Sequence, residues 1–486
     1  MRPEYDLAVI GGGAGGLTVA AAGAQLGAKV ILIEKAAELG GECLHFGCVP
    51  SKSLIHVASI AQNLRSAELL GIKIATPEFK MATVMGQVQK VISRLQPHDS
   101  VERFEGLGCA VLVNSVGSFS DEKTFVLSNG KNAGRKITAR YFVITSGSRP
   151  ATPKIEGLNE VEYFTNETIF KLQKTPKKLI VIGGGPIGIE LAQAFQRLGS
   201  QVTVIIGSGK MILPKDDPEA AQVVLQKLTA EGVEFVPLVR TEKISTATDG
   251  QKEVIVRAVN SGEMKSYFGD TVLIATGRTA NTAGLELEKT GATLSEHGIM
   301  TNQKLQTANK RIYACGDVTG PYQFTHMAGY QAAVVLTNIF SPIAWKKVDY
   351  RSVPWVTYTD PELAQIGYSE AQAKKEGIIH QVYRHEFLKN DRAETDEAPE
   401  GFIKVICDRK KRVIGSTIVG KSAGELLGTW VVAVQKRLKI TNIANMVFPY
   451  PTLGKISKQV AREALKESFT PWKKKLLKKL LGLRGK

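Results

Sequence analysis

The sequence predicts an α/β fold with two Rossmann-type dinucleotide-binding domains and a C-terminal α+β domain. Three observations carry this reading. An apolar strand, a glycine-rich turn and a helix follow one another near the N-terminus; the same succession recurs from Leu179; and from about Tyr350 short β-rich runs take over. A chain of 486 residues suffices for about three domains, and 43% hydrophobic residues are ample for their cores.

The first succession is the strand Leu7 to Ile10, the turn Gly11-Gly12-Gly13-Ala14-Gly15-Gly16, an Ala-rich helix, and the strand Val30 to Ile33 ending at Glu34. In a Rossmann unit, Gly11 serves the tight turn, Gly13 the close approach of a pyrophosphate, Gly16 helix–strand packing, and Glu34 a ribose hydroxyl. A lone glycine motif is weak evidence. Strand, helix, second strand and acid at this spacing together point to a bound dinucleotide.

Next comes Gly40-Gly41-Glu42-Cys43-Leu44-His45-Phe46-Gly47-Cys48-Val49-Pro50-Ser51-Lys52. Its two cysteines, five apart, are expected on the first turn of a helix, where the positive end of the macrodipole lowers a thiol pKa. The pair can close a disulfide; a buried or metal-binding pair is the alternative for so short a spacing. Five cysteines in all exclude a structural disulfide framework, and Cys109, Cys315 and Cys407 read as small core residues.

Arg149 to Pro153 and Lys174 to Lys178 are Pro- and Lys-rich connections. Between the second of them and the strand Val202 to Ile206 stands the second turn, Gly183-Gly184-Gly185-Pro186-Ile187-Gly188, so a second dinucleotide is expected on Gly183, Gly185 and Gly188. Its second strand ends in Ile206-Gly207-Ser208-Gly209-Lys210, without the acid that favours NAD. Ser208 or Lys210 can meet a 2′-phosphate whereas Gly188 leans the other way, which leaves NADH and NADPH both open.

The segment GGECLHFGCVPSK resembles the active-site segment of the FAD-dependent pyridine nucleotide–disulfide oxidoreductases, the group of dihydrolipoamide dehydrogenase, glutathione reductase and mercuric reductase. The segments Ile274 to Asn281 and Arg311 to Asp317 are similar to that family's ATGRxPN and YAxGD motifs, with Ala280 in place of the usual proline. The resemblance covers residues 4 to 465. It implies FAD on the first turn, with Gly117, Gly277 and Asp317 as further contacts and Asp317 on the ribityl chain, and NADPH or NADH on the second. It implies that Cys48 makes the charge-transfer contact to the flavin and that Cys43 exchanges with substrate. Lys52 is implied near the flavin N5 edge, stabilising charge on the reduced ring, with Glu190 as its ion-pair partner.

On the same resemblance, the short runs Val353 to Tyr358 and Phe402 to Ile406, with a helix at Ala423 to Lys436, form a dimerisation domain, and the protein is a homodimer. The expected boundaries are 1–152 for the first part of the FAD domain, 153–275 for the NAD(P) domain, 276–346 for the return to the FAD domain, 347–466 for dimerisation and 467–486 for a tail.

Two departures stand out. Where disulfide reductases of the family carry a His–Glu dyad, this chain has Tyr450 and Lys455, and a phenol near its reference pKa of ~10 is a poor base at neutral pH. Phe448-Pro449-Tyr450 resembles the mercuric-reductase branch, yet no cysteine follows Cys407 to deliver a soft metal. The expected function is a flavoprotein passing electrons from NAD(P)H to Cys43–Cys48 and on to a disulfide, a thiol-bound metal or another acceptor. A membrane-associated NAD(P)H:quinone reductase is the alternative enzyme, and a membrane-recruited flavoprotein scaffold the alternative of another class.

The net charge of +17 does not mark a nucleic-acid binder, because residues 471–486 hold seven Lys or Arg and no acid. In this tail Trp472, Leu476, Leu477, Leu480, Leu481 and Leu483 take one side of a helical wheel and Lys474, Lys475, Lys478 and Lys479 the other, with Lys473 misplaced. Such a helix suits the surface of an anionic membrane; a helix packed on its own protein or a disordered tail is the alternative. No run approaches the ~20 apolar residues of a membrane span and no signal-peptide pattern is seen, so a cytoplasmic protein is expected, peripheral on the membrane if the tail engages.

Overall fold

The computed structural model describes residues 2–73 and 78–483. Two compact units form, each from three stretches of chain: Met1–Gly183, Ala194–Ile205 and Arg240–Asp349 in the first, Gly184–Gln193, Ile206–Val239 and Tyr350–Lys486 in the second.

The first unit starts with β1 (Tyr5–Ile10), α1 (Ala14–Gln25) and β2 (Val30–Ile33). Every residue of β2 and all but one of β1 are buried, as befits inner strands of a sheet covered on both faces. After them come α2 (Gly41–His45), α3 (Cys48–Ser66), α4 (Met81–Leu95), β3 (Ala110–Leu112), the hairpin of β4 (Gly117–Asp121) and β5 (Thr124–Leu127), and β6 (Lys136–Ile144). The sheet order is β3-β2-β1-β6-β5-β4.

The second turn follows β7 (Lys178–Ile182) and leads into α5 (Pro186–Arg197) and β8 (Gln201–Gly207). Farther along lie α6 (Pro218–Ala230) and β9 (Thr271–Ile274). In the first unit, β7 is flanked by β8 and β9, both parallel to it, with Ile182 opposite Ile205 and Ile274.

The chain then returns to the first sheet through β10 (Ile312–Ala314), followed by α7 (Thr325–Phe340). β6 pairs with β1 along one edge and is long enough to serve two neighbours along the other: its first residues pair with β5, and its last with β10. Ile10, Ile144 and Ala314 are thereby level, so the segments after them gather at the carboxyl end of one sheet, where open α/β sheets bind ligands.

The second unit holds an antiparallel sheet of β11 (Pro354–Thr357), β12 (Glu362–Gly367), β13 (His380–Glu386), β14 (Phe402–Asp408) and β15 (Val413–Gly420), in the order β11-β12-β15-β14-β13. The helix expected at Ala423 to Lys436 is two pieces, Ala423–Leu426 and Gly428–Gln435, meeting at buried Leu427. These, with α8 (Lys455–Ser468), enclose Trp430, Ile403, Ile418 and Val460. α6 packs on β12 and β15. Lys404 of β14, 3% exposed, is held by Asp217 at the head of α6 (3.0 Å) and by Glu219 (2.7 Å). Burial works against its charge, yet the hydrogen bonds to Glu219 and Asp217 keep the ammonium above the usual lysine range.

The tail forms α9 (Pro471–Leu481), capped by the Thr470 hydroxyl at Lys473 N–H. Every one of its residues is exposed, Trp472 by 68% and Leu480 by 71%. Residues 484–486, which complete the basic tail, lie outside the described residues. Among the described residues, no helix is long and apolar enough to cross a membrane.

Candidate active site

The first glycine-rich turn is tightly built at its two ends. A Cβ on Gly16 would lie 1.9 Å from Gly11 O, and one on Gly11 would lie 2.4 Å from Thr145 O. α1 begins at Gly13 with no side-chain cap and no acid in its first turn, leaving its first N–H groups directed at an incoming anion. Glu34 is 7% exposed and accepts from Gly12 N–H (2.6 Å) and Ala36 N–H (2.8 Å). Its backbone carbonyl receives Ser115 N–H, which brings Gly117 close by in the chain. Gly117 also has a packing reason to be glycine, since a Cβ there would lie 2.4 Å from Val126 O. Helix N-terminus, buried acid and close-packed glycines fit the pyrophosphate and ribose of FAD.

The cysteine segment is pressed onto this turn. Gly40 N–H donates to Gly12 O at 2.9 Å, and Gly41, at φ +60°, would set a Cβ 2.6 Å from Gly13 Cα. A side chain at Gly41 would therefore push the two loops apart. The cysteines themselves sit differently from expectation. Cys43 lies within the five-residue α2, and Cys48 is the first residue of α3 after Gly47; they do not share one helical turn.

The two cysteines are in the reduced, thiol form and not joined in a disulfide, Cys48 exposed and Cys43 half-buried. The Cys43 thiol is pushed well up by its hydrogen bond with Cys48 and then by burial, the reverse of the expected lowering. A thiol that donates to its neighbour keeps its proton. The helix-terminus position is left to Cys48, whose Sγ lies 3.7 Å from Thr325 Oγ1 at the start of α7. Cys109, Cys315 and Cys407 are buried, as expected, and among the described residues no His, Cys, Asp or Glu cluster could hold a metal ion.

Beside Cys43, Glu42 is part of a polar network that the sequence reading missed. Arg278 grips the Glu42 carboxylate with both terminal nitrogens, and Asn166 Nδ2 donates to Glu42 at 2.8 Å. Arg278 Nε donates to Ser148 Oγ (2.9 Å), and Ser148 Oγ donates to Asp317 Oδ2 (2.6 Å). Burial raises the Glu42 carboxyl above its ordinary value although Arg278 opposes it. The network ties α2 to the segments containing Gly277 and Asp317, which two of the family-like motifs supplied. Glu42 is 236 residues from Arg278, a separation at which spacing carries no signal.

The second turn repeats the first in part. Gly183, at the end of β7, would set a Cβ 2.2 Å from Ala275 O. Gly185 has no atom within 4 Å of such a Cβ, and buried Gly188 lies inside α5. Glu190, also in α5 and 6% exposed, accepts from Tyr358 N–H at 2.8 Å. Lys52, half-buried on α3, lines an open cleft with Cys48. Tyr450 is 69% exposed, and the Lys455 ammonium lies 4.5 Å from its ring centroid and 3.0 Å from Asp391. The two residues at the dyad positions thus meet each other, as a cation and a ring.

Comparison with known proteins agrees with this geometry. Residues 5–332 match the pyridine nucleotide-disulphide oxidoreductase family and residues 353–461 its dimerisation domain. A mercuric reductase of Staphylococcus aureus is 34% identical over 453 residues, covering 93% of this chain and 81% of that one. A dihydrolipoyl dehydrogenase of Bacillus subtilis is 33% identical over 471 residues, covering 95% and 97%. Among solved structures, the Cu(II) complex of the HOCl-induced flavoprotein disulfide reductase RclA from Escherichia coli superposes with a TM-score of 0.84 at 24% identity, covering 95% of this chain and all of that one.

Proposed function

Because the chain belongs to the pyridine nucleotide-disulphide oxidoreductase family, whose enzymes use FAD with NAD(P)H as electron donor, we propose that it delivers electrons through Cys43–Cys48 to a small disulfide, a thiol-bound metal or another soluble oxidant. The observation that carries this is the hydrogen-bonded Cys43–Cys48 pair held against the Gly11–Gly16 turn by Gly40 and Gly41. Held on the Gly11–Gly16 turn with Glu34 at its ribose, FAD would supply hydride acceptance from the nicotinamide and electron transfer to a disulfide. The residues supply the rest. Cys43 retains the proton of the reduced pair and Cys48 carries its charge at the head of α3. Thr325 offers a hydroxyl to that sulfur. Glu42, clamped by Arg278, holds α2 in place.

The expected dimer places the dimerisation domain, residues 353–461, against a second copy. With Tyr450 and Lys455 at the dyad positions, turnover of dihydrolipoamide or glutathione disulfide is slow, because general acid/base groups contribute ~10²–10⁴-fold. The test is an anaerobic titration with NADPH and with NADH. A long-wavelength band from a thiolate packed on the oxidised flavin appears on reduction, and Cys48→Ser removes it while FAD stays bound. Persistence of the band in that variant removes Cys48 from the role.

A second reading is favoured by the exposure of α9. The same flavoprotein acts at an anionic membrane surface, with a quinone as acceptor. Each basic residue near such a surface contributes about 1 kcal/mol, so the full chain pellets with anionic vesicles, less so as salt rises. Loss of residues 471–486 abolishes pelleting and leaves reduction of soluble acceptors intact. Equal pelleting of both forms, or of neither, removes this reading.

A further inference from the structure

Between α3 and α4 runs an open cleft of about 540 Å³. Cys48 and Lys52 line one end, and His56 continues the same face of α3. Eight residues at 1.5 Å rise place His56 about 12 Å along the helix from Cys48. From α4 come Arg94 and Gln87, with Val91 and the Val57 of α3 as an apolar floor. Among the described residues that line the cleft, none is acidic. Arg94 supplies a planar guanidinium, and the His56 ring and the Gln87 amide add hydrogen-bonding groups.

α4 runs antiparallel to α3: Gln96, just beyond its end, donates to Leu39 O ahead of α2 (3.1 Å), and Arg65 near the end of α3 lies over Phe79 just before α4, so Arg94 sits toward the Cys48 end and Gln87 toward His56. A thiol and a guanidinium at one end, an imidazole and an amide at the other, and an apolar floor define a binding profile. We propose that this cleft selects electron acceptors that carry a carboxylate or similar anionic group beside the reducible bond, with Arg94 and His56 as the specificity-determining residues. The proposal rests on the reading of Cys43–Cys48 as the redox pair. For a disulfide acceptor the step balances as follows. One thiol of the pair attacks one acceptor sulfur and expels the other half as a thiolate, which takes a proton. The second thiol then closes the Cys43–Cys48 disulfide and releases the second acceptor half. Two electrons and two protons leave the protein; NAD(P)H returns the electron pair with one proton as a hydride, and solvent supplies the second proton.

The experiment uses the reduced, FAD-loaded protein and two aromatic disulfides, the dianionic dithiobis(nitrobenzoate) and the uncharged dithiodipyridine, each followed by the thiol it releases. The readout is the ratio of the two rates, first without NAD(P)H. Arg94→Gln with His56→Gln lowers that ratio about tenfold, about 1.4 kcal/mol; Arg94→Glu lowers it further; and Arg94→Lys restores most of it. In the unaltered protein the ratio falls as salt rises. A ratio that is insensitive to salt and the same in every folded variant overturns the proposal. Turnover with NAD(P)H is a separate reading: thiol reactivity that follows Arg94 without any turnover sinks the proposed function and leaves the cleft assignment standing.

Discussion

The two glycine-rich turns share a pattern and differ in how they are finished. The first ends its second strand on Glu34, buried and bonded to two backbone N–H groups of its own loop. The second ends on Ile206 and Gly207, with Ser208, Gly209 and Lys210 all exposed. Crowding does not follow this division: Gly11 and Gly183 are both closed in by backbone, while Gly13 and Gly185 both leave room for a Cβ, so the contrast rests on the acid. A site closed by a buried acid is preorganised for one ligand that stays. One left open at the ribose end suits a ligand that comes and goes, and defers its identity to a few surface side chains.

The largest effect that would sharpen this comparison is steric. Gly16→Ala forces a Cβ onto Gly11 O and is expected to cost more than about 4 kcal/mol, leaving a colourless protein with a lowered melting temperature. Gly185→Ala keeps both the yellow colour and the melting temperature within experimental error. Equal damage from the two, measured by flavin absorbance and thermal denaturation, would mean that Gly185 is as closed in as Gly16.

A smaller effect concerns the loop that returns from the second turn, where Leu213 N–H bonds Gly184 O and Asp216 follows three residues later. Burial pushes the Asp216 carboxyl up to about 6, against the hydrogen bond it accepts from Trp355 Nε1. The folded state therefore binds this proton more tightly than the unfolded state does, so its stabilising contribution is full below the ordinary 3.8 and is lost as pH rises through about 6. Asp216→Asn should raise the melting temperature above pH 6 and flatten its dependence between those two values, by at most about 3 kcal/mol. An unchanged pH profile would show that this loop is not strained by its acid.

Loosening the first site tests its acid directly. Glu34→Gln keeps an acceptor for one N–H but removes the charge, which at about 1–2 kcal/mol should weaken FAD retention roughly tenfold on dilution or dialysis. No change in retention would assign Glu34 to loop structure alone. The smallest effect belongs to the open turn: Lys210→Asp should shift the preference between NADPH and NADH about tenfold toward NADH, about 1.4 kcal/mol, read as the ratio of kcat/KM values. A ratio that does not move would place coenzyme selection on other residues.

Much of the fold was legible because it rests on local rules. The strands around both turns, the break to a β-rich domain near Tyr350 and the tail helix all follow from hydrophobic period and glycine placement. What escaped depends on contacts between distant residues. The Glu42 carboxylate reads as an ordinary surface acid until Arg278 arrives from far along the chain. Lys404 looks like a solvated strand lysine until α6 brings Asp217 and Glu219 to it. The cysteine error was local: Gly47 interrupts the helical run, so Cys43 faces its partner thiol, and the hydrogen bond between them outweighs any macrodipole. His56 and Arg94 carried no motif at all, and only the packing of α3 on α4 sets them in one cleft.

The order in which the chain visits its two units limits how such a gene can be recombined. It changes unit after residues 183, 193, 205, 239 and 349, so a hybrid joined near Tyr350 exchanges only the last stretch of the second unit. The incoming sheet would then have to accept the resident α6, and its β14 lysine would need to find Asp217 and Glu219 where this chain puts them. A parent lacking that lysine would leave two carboxylates facing an apolar strand, Asp217 fully buried. Related genes can therefore trade this C-terminal part only when they agree at a few residues encoded well upstream of the join.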